Sequence, residues 1–547
     1  MTSNRLGGRD PGGSAVQALI REWLDEEMAE APTRASALGL DGYDEELGQF
    51  SVSDFERRAR AARSWEDRLE ALPDGGLSGD DVIDRDLVLS ALRGRIVMED
   101  WEAWRRDPSV YLDPCLNGVF SLFLHRLRPE AELARAAAAR MRQVPAVLAA
   151  AGVQLDADLL SPIMKERALG QCAAGARYAR DLVPAEVADA TGRADLAAAG
   201  AEAGDAFDAL AGVLGNLDAK GDFALGEESY SRLLRKREVL GFGAAELQAR
   251  GQAAWDDLDA RMTELARRLG DESWREALER INTHRPATPA EMLASYQEMT
   301  ERCRSFLVER DLVTMPEGEE CRVVPSPVFQ RPVLAVASYA APPPFKPSRT
   351  GHFFVPFPPE GTTAEQLAQR MATNSLAAMA TITAHEAYPG HHWHLVWSQD
   401  HAPAVRSVVR TPYFSEGWAL FAEAVMAEAG FFSDDELLSH LDARIFRAAR
   451  IVVDTSLHSG EMTFDEAVEH MYTHTGLSQA TAYAEVSRYC AWPTQAASYL
   501  TGALELERIR ERYLAAGVGD ARTYNDAVAA TGSLPLGLAE RAVMSGR

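Results

Sequence analysis

Residues 385–393 read HEAYPGHHW, and five of the twelve histidines of the chain fall between residues 385 and 401. The preceding residues, 376–384, are mostly small and apolar, which is typical of a buried helix. A buried histidine followed directly by a buried glutamate is unfavourable unless both side chains have partners. A metal ion with an activated water would provide partners for His385 and Glu386, so the stretch is a candidate metal site.

The spacing of these histidines differs from the H-E-x-x-H pattern, in which two zinc-binding histidines lie one helical turn apart. Here Pro389 stands four residues after His385, and the next histidines are His391 and His392. A regular helix would place His392 about 10 Å along the axis from His385, too far for a shared ion. Pro389 removes a backbone donor and Gly390 permits unusual dihedral angles. We therefore predict a break that brings His391 or His392 back towards His385.

Helical patterns occupy most of the chain on both sides of this stretch. The long ones before it cover residues 15–31, 80–107, 129–151, 161–182, 184–217, 244–269 and 289–309. Three short runs of β-branched and aromatic residues, 321–325, 333–339 and 352–357, predict strands. Helix returns at residue 363 and continues to the C-terminus. The pattern predicts a mainly α, large multi-helix fold with a small β-sheet beside the helix that carries His385.

The domain organisation follows from the same pattern. We predict a flexible N-terminus over residues 1–15, a helical lobe over residues 16–315 and a catalytic lobe over residues 316–547. No clear linker marks the border between the lobes, and one continuous domain is the alternative.

Composition and charge exclude several classes of partner. The formal net charge is -26, and so acidic a surface repels phosphate backbones and anionic lipid, which argues against binding to nucleic acid or to a membrane. The five cysteines form no C-x-x-C pair, and the N-terminus lacks the apolar core of a secretory signal. We therefore expect a cytoplasmic protein without a membrane span. The sequence predicts no particular oligomeric state.

A second motif, SEGWALFAE, occupies residues 415–423. Together with HEAYPGHHW it resembles the bacterial family called domain of unknown function 885 (DUF885), which is similar to helical gluzincin zinc metallopeptidases such as thimet oligopeptidase and angiotensin-converting enzyme. The resemblance covers most of the chain and is strongest from about residue 320 to residue 505. In those peptidases a Gly-His pair closes the zinc motif, and a glutamate about 25 residues later is the third ligand. Gly390-His391 and Glu416 match these positions.

The resemblance implies roles for the residues of both motifs. His385, His391 and Glu416 would bind Zn²⁺, and Glu386 would act as the general base. His392 would then lie behind the ligands or face the substrate. The spacing alone leaves His391 and His392 both open as the second histidine ligand.

Further candidates lie downstream. Glu423 is seven residues after Glu416, on nearly the same helical face, and it is a candidate either to orient a ligand histidine or to replace a ligand. An ordinary solvated or salt-bridged glutamate is the other interpretation. Amide cleavage creates an oxyanion that needs a donor beyond the metal. In the related peptidases such donors come from a helix near the C-terminus, and the resemblance makes Tyr489 and Arg488, and then Tyr499, the candidate donors. A structural ion pair for Arg488 and a place at the rim of the core for the tyrosines are the other interpretation.

The resemblance also extends to the predicted sheet, because gluzincins bind extended substrates along a strand beside the zinc helix. Residues 352–355 are the candidate edge for this pairing. The sequence thus predicts a zinc metallohydrolase, in the first place a metallopeptidase, that uses a metal-activated water on a peptide or small amide substrate. One alternative is a metal-dependent hydrolase or lyase that acts on a non-peptide C–N bond in specialised metabolism. The other is a non-catalytic binding protein that uses a metallopeptidase-like cleft.

Overall fold

The computed structural model describes residues 14–331, 336–359 and 361–545. The chain forms two compact units. The first comprises Met1–Leu225 and the short segment Pro343–Pro347, and the second comprises Gly226–Pro342 and Ser348–Arg547. Both are built mainly of helices, as the sequence predicts. No helix among the described residues is long and apolar enough to cross a membrane.

Helices α1 to α11 belong to the first unit. They are α1 (Ala15–Glu30), α2 (Pro32–Ala37), α3 (Val52–Glu70), α4 (Gly79–Asp100), α5 (Ala103–Arg106), α6 (Ser109–His125), α7 (Glu130–Met141), α8 (Val144–Gln154), α9 (Pro162–Arg177), α10 (Val183–Ala185) and α11 (Ala190–Asn216). The π-helical segment Tyr178–Leu182 joins α9 to α10. The long α11 packs against α7, α8 and α9, and buries Leu196, Phe207, Leu210 and Leu214.

Helices α12 to α26 belong to the second unit. They are α12 (Glu227–Arg232), α13 (Ala244–Leu269), α14 (Trp274–Ile281), α15 (Pro289–Arg310), α16 (Ala364–Ala372), α17 (Leu376–Glu386), α18 (His391–His401), α19 (Ala404–Val408), α20 (Pro412–Glu428), α21 (Asp434–Ser459), α22 (Phe464–His474), α23 (Gln479–Ala491), α24 (Ser498–Ala515), α25 (Ala521–Ala530) and α26 (Leu536–Met544). A π-helical segment, Leu233–Arg237, follows α12, and a short 3-10 helix spans Val328–Gln330.

Local sequence signals position the helices that carry the candidate site. Ser433 and Glu436 form a capping box at the start of α21, and Gly460, with φ of 75°, ends that helix. Helix α20 packs closely against α24 because glycines meet at the crossing. A Cβ atom on Gly417 would lie 2.5 Å from the Cα atom of Gly502. These features fix α20 and α21 around α17.

The second unit also contains a three-stranded sheet, composed of β1 (Glu320–Pro325), β2 (Ser338–Ala340) and β3 (Thr350–Val355). The strand order is β1-β3-β2, with β3 parallel to β1 and antiparallel to β2. The prediction that residues 352–355 form a free edge is therefore wrong, because β1 and β2 occupy both sides of β3. Residues 333–335 of the predicted middle strand lie outside the described residues.

The predicted helices agree with the structure where periodicity is strong and differ where a local break intervenes. The predicted range 244–269 is the same as that of α13. The range predicted over 80–107 is divided, because α4 ends at Asp100 and Glu102 adopts a left-handed conformation with φ of 57°. Most of the predicted flexible N-terminus lies outside the described residues, and α1 begins at Ala15.

The border between the compact units lies after Leu225, whereas the sequence suggested a border between residues 315 and 316. The physical reason is packing: α13 runs along α21, and α15 contacts both α17 and β1. The helices between residues 226 and 315 therefore share a core with the C-terminal helices.

Candidate metal centre

The chain breaks its helical path within the histidine motif. Helix α17 ends at Glu386, and α18 begins at His391. The predicted break at Pro389 and Gly390 is thereby confirmed. A Cβ atom on Gly390 would lie 1.8 Å from the carbonyl oxygen of His385, so only glycine lets the returning chain approach the end of α17 this closely. As a result, His391 returns to His385 although six residues separate them.

The break brings His385 and His391 together with Glu416 of α20. In each histidine, Nε2 lies 3.5 Å from Oε2 of Glu416. The two rings are nearly perpendicular, at 89°, with centroids 4.9 Å apart. Two ligands about 2.1 Å from a tetrahedral zinc ion lie about 3.4 Å from each other. The spacing and the donor set, two imidazoles and one carboxylate, therefore fit a divalent ion such as zinc. Among the described residues, this group alone brings three potential ligand atoms within 4.8 Å of one another.

A buried hydrogen-bond network fixes the orientation of His385. Its Nδ1 lies 2.8 Å from Oε1 of Glu423. The other oxygen, Oε2, accepts a hydrogen bond of 2.6 Å from Thr381 and lies 3.0 Å from Nδ1 of His440. With Nδ1 bound to the carboxylate, Nε2 of His385 is directed at the candidate metal position. Glu423 therefore occupies the orienting position that was one of its two predicted roles.

The electrostatics of the cluster suit a cation. Burial favours the neutral form of His385, but its hydrogen bonds to Glu416 and Glu423 outweigh burial and raise its pKa to about 9. Burial also opposes ionisation of Glu416, yet the charges of His391 and His385 hold the pKa of that carboxyl well below its usual range. Glu423 behaves in the same way through His385 and His440. Both glutamates remain carboxylates, and the cluster therefore offers negative charge to a metal ion.

Glu386 differs from these two carboxylates because it makes no hydrogen bond to any described residue. Burial raises its pKa, and nearby His391 and His385 only partly oppose that shift. It lines the same cavity as His385, His391 and Glu416. A carboxylate with a raised pKa and no structural partner beside a candidate metal site is suited to general-base chemistry.

The cavity beside the cluster has a volume of about 590 Å³, which is within the usual range of sites for small molecules. One wall is a face of α21 that includes Phe446, Arg447 and Arg450. Another is the outer strand β2, through Ser338 and Tyr339. This wall was not predicted from the sequence. The spacing of its α21 residues, three and four apart, could have indicated that they share one face of a helix.

His392 lies outside the cluster. Its Nε2 is 2.8 Å from Oε2 of Glu319, and its Nδ1 is 2.9 Å from the hydroxyl of Tyr339. The Tyr388 hydroxyl also donates to Glu319, whose other oxygen accepts a hydrogen bond of 2.9 Å from Arg304. His392 thus ties the break after α17 to the segment before β1. Glu319 was missed because nothing in its sequence context marks it as a partner.

The predicted oxyanion donors Arg488 and Tyr489 do not line the cavity, whereas Tyr499 does. The Tyr489 hydroxyl donates to Glu485 at 2.8 Å, and Arg488 donates to the same carboxylate at 2.9 Å. Glu485 also accepts a hydrogen bond of 2.7 Å from Arg450. Tyr489 and Arg488 are thus joined through Glu485 to an arginine that reaches the cavity.

Comparisons with known proteins assign this chain to a recognised sequence family and a known fold. The family described as "Bacterial protein of unknown function (DUF885)" matches residues 32–543. A putative lipoprotein of unknown function from Shewanella oneidensis has a similar structure, with a TM-score of 0.79 and 20% identity over 96% of this chain and 99% of that chain. A putative lipoprotein from Colwellia psychrerythraea is also similar in structure, with a TM-score of 0.82 and 18% identity over 97% of this chain and 99% of that chain. The TM-scores show a shared fold, and at identities this low the comparison shows the fold alone. The comparison with curated proteins found no match.

Proposed function

The chain belongs to the DUF885 family, and we propose that it is a zinc-dependent hydrolase that cleaves peptide or other amide bonds. One observation carries the proposal: His385, His391 and Glu416 converge at the spacing of tetrahedral zinc ligands, beside a carboxylate, Glu386, that has no structural partner. A protein that only binds a ligand has no need for this last group.

Each group of the site has a separate role in the proposed reaction. Zn²⁺ held by the three ligands would lower the pKa of a water molecule and polarise the carbonyl group of the substrate. Glu386 accepts the proton of the attacking water and delivers it to the departing nitrogen. Tyr499 lines the cavity and replaces Tyr489 and Arg488 as the candidate donor to the developing oxyanion, because those two residues donate to Glu485 and do not line the cavity.

An extended peptide is the substrate that the walls of the cavity favour. Strand β2 is an outer strand of the sheet, and Ser338 and Tyr339 of this strand line the cavity. A peptide main chain can add to such an edge by hydrogen bonding. The predicted cytoplasmic location belongs to the same proposal, and the five free cysteines fit a reducing compartment.

The substitution Glu386→Gln tests the proposal. We expect the variant to retain zinc, because Glu386 is not one of the three ligands, and to lose about 10²- to 10⁴-fold in kcat. Metal content is measured by mass spectrometry, and turnover is measured with peptides of defined length and with small non-peptide amides. The matched control is Glu264→Gln, at a glutamate that is 64% exposed.

Each outcome of this experiment separates the candidate functions. An unchanged rate in Glu386→Gln would refute the assignment of the base. Cleavage of small amides but not of peptides would favour the non-peptide alternative. A zinc-loaded protein that binds peptides or amides but cleaves none of them would favour the binding protein.

A further inference from the structure

Helix α21 presents one face to the cavity beside the candidate metal centre. Ala443, Phe446, Arg447 and Arg450 all line that cavity, and their spacing of three and four residues places them on one side of the helix. Two arginines of this face thus border the same space as Glu386. Their hydrogen bonding differs, and the difference indicates what the cavity accepts.

Arg450 is satisfied within the protein. Its Nη2 donates to Glu485 at 2.7 Å, and its Nε donates to the hydroxyl of Tyr489 at 3.1 Å. Arg444, three residues before Arg447 on α21, is also paired, because its Nη2 donates to Glu507 at 3.0 Å. Helices α23 and α24 therefore provide counter-ions for the arginines on either side of Arg447.

Arg447 forms no close ion pair with a carboxylate among the described residues, although Glu386 and Asp442 interact with its charge at longer range. Its hydrogen bond runs from Nη1 to the carbonyl oxygen of Ala443, at 2.8 Å in its own helix. Its Nε is buried without a hydrogen-bond partner, as is Nε of Arg444. Its Nη2 is not buried and makes no hydrogen bond to a described residue. A guanidinium keeps its charge and offers five N–H donors, and a buried cation without an anionic partner is unfavourable. Arg447 therefore borders the cavity with an Nη2 group that donates to no described residue.

The carboxylates of the cavity do not fill this role. Glu416 faces the two histidines, and Glu423 is bound to His385 and Thr381. Glu386 and Asp442 both line the cavity, but neither forms an ion pair with Arg447. Asp442 and Arg447 are five residues apart on α21, and this separation directs their side chains about 140° apart around the helix axis.

The ring of Tyr499 supports the guanidinium from the side. Its centroid lies 5.4 Å from Cζ of Arg447, which is within the range of a cation–π contact. A guanidinium held in this way can still use its N–H edge. That planar edge matches the two oxygens of a carboxylate, which accept two parallel hydrogen bonds.

We propose that Arg447 binds a carboxylate of the substrate, and thereby sets the substrate class of the site as peptides or amides that carry a free carboxylate near the scissile bond. This inference rests on the proposed hydrolase function and deepens it. The carboxylate can come from the C-terminus of a short peptide or from an acidic side chain. The C-terminal source makes the enzyme a carboxypeptidase or dipeptidase in its specificity.

Matched substrates and variants test the proposal. The substrates are an N-acetylated dipeptide with a free C-terminal acid, the same peptide as its C-terminal amide, and amidated peptides that differ only by glutamate or glutamine next to the scissile bond. The variants of the zinc-loaded protein are Arg447→Met, which keeps length without charge, and Arg447→Lys, which keeps charge without the planar edge. The control is Arg267→Met, at an arginine that is 76% exposed.

In the wild type we expect kcat/KM for one carboxylate-bearing substrate to exceed that of its neutral partner by about tenfold or more. Arg447→Met should remove this preference, mainly through the KM of the carboxylate-bearing substrate, so that kcat/KM for the two members of the pair agrees within about twofold. Arg447→Lys should retain part of the preference. Preference for the acid over the amide identifies the C-terminal source, and preference for glutamate over glutamine identifies the side chain. Equal rates on each pair in the wild type, or equal losses on both members of a pair in Arg447→Met, would overturn the proposal.

Binding without turnover provides a second readout. We expect calorimetry to detect binding of N-acetyl-leucine, but not of N-acetyl-leucinamide, to the wild type and to Arg267→Met. The same result is expected after zinc has been removed by a chelator. Arg447→Met should bind neither ligand. If the protein cleaves nothing but shows this binding pattern, the hydrolase function fails and the carboxylate site stands. If the protein cleaves neutral and acidic substrates equally and binds both ligands equally, the carboxylate site fails and the hydrolase function stands.

Discussion

Glu423 determines which nitrogen of His385 faces the cavity. Its carboxylate lies 2.8 Å from Nδ1 of His385 and is held in place by Thr381 and His440. The network leaves Nε2 of His385 facing Glu416 at 3.5 Å. Glu423 thus fixes the direction of a candidate ligand although it does not belong to the group of three candidate ligands.

The variant Glu423→Gln should bind zinc about 10- to 100-fold more weakly, because the neutral amide orients His385 less firmly and makes its Nε2 a less basic ligand for the metal. Zinc affinity is measured by competition with a chromophoric chelator. Glu428→Gln is the control, since Glu428 lies on the same helix α20 and is 55% exposed. An affinity equal to that of the wild type would show that Glu423 has no part in holding the ligand.

At this scale the sequence predicted the cluster of His385, His391 and Glu416 but not every partner. The two motifs identified the three side chains, yet the choice between His391 and His392 depends on the path of residues 387–390, which spacing cannot give. Arg447 was missed for a different reason. Its lack of a close ion pair becomes visible only when helices distant in sequence are placed around it.

The break between α17 and α18 is the element that makes the site. It returns the chain so tightly that a Cβ atom on Gly390 would lie 1.8 Å from the carbonyl oxygen of His385 and 2.4 Å from that of Ala384. These are backbone atoms of α17, and they cannot move aside without unwinding the helix. The geometry of the two histidines therefore depends on a glycine at position 390.

We expect Gly390→Ala to lose zinc binding and to lower the free energy of unfolding by about 2 kcal/mol or more, because the added methyl group displaces α18 from α17. Zinc content and denaturant unfolding measure the two effects. Gly241→Ala is the matched control, because a Cβ atom at Gly241 meets no atom within 4 Å. Normal zinc affinity in Gly390→Ala would contradict the role assigned to the break.

Elements were predictable from sequence where the signal is local. The apolar period of residues 244–269 gave the bounds of α13, and Pro389-Gly390 gave the break after α17. The position of residues 352–355 within the sheet was not predictable, because strand order depends on pairing between β3 and both distant neighbours. The border of the compact units after Leu225 was not predictable for the same reason, since it depends on packing of α13 against α21.

The stability of the second unit depends on a buried carboxyl that joins distant parts of its chain. Oδ2 of Asp454, on α21, accepts hydrogen bonds from the Tyr230 hydroxyl at 2.5 Å and from the backbone N–H of Thr494 at 3.1 Å. Its Oδ1 has no hydrogen-bond partner. Burial raises the pKa of Asp454 from 3.8 to about 7. The folded protein therefore holds this proton more tightly than the unfolded chain does.

The sign of the pH effect follows from this difference. Between about pH 4 and pH 7 the unfolded chain has lost the proton while the folded protein keeps it, so the contribution of Asp454 to stability falls by about 1.4 kcal/mol per pH unit and levels off above pH 7. The asparagine of Asp454→Asn cannot titrate. The free energy of unfolding of this variant, relative to that of the wild type, should therefore increase as pH rises from 5 to 7. Asp257→Asn, at an aspartate that is 66% exposed, is the control. A constant difference between Asp454→Asn and wild type at every pH would contradict the assignment.

Anomalous diffraction at the zinc absorption edge, from crystals of the zinc-loaded protein, tests the metal centre most directly. The three side chains predict one peak, about 2.0–2.2 Å from Nε2 of His385, Nε2 of His391 and a carboxylate oxygen of Glu416. A peak at other residues, or no peak in protein that has been supplied with zinc, would contradict the metal centre and the hydrolase function that depends on it.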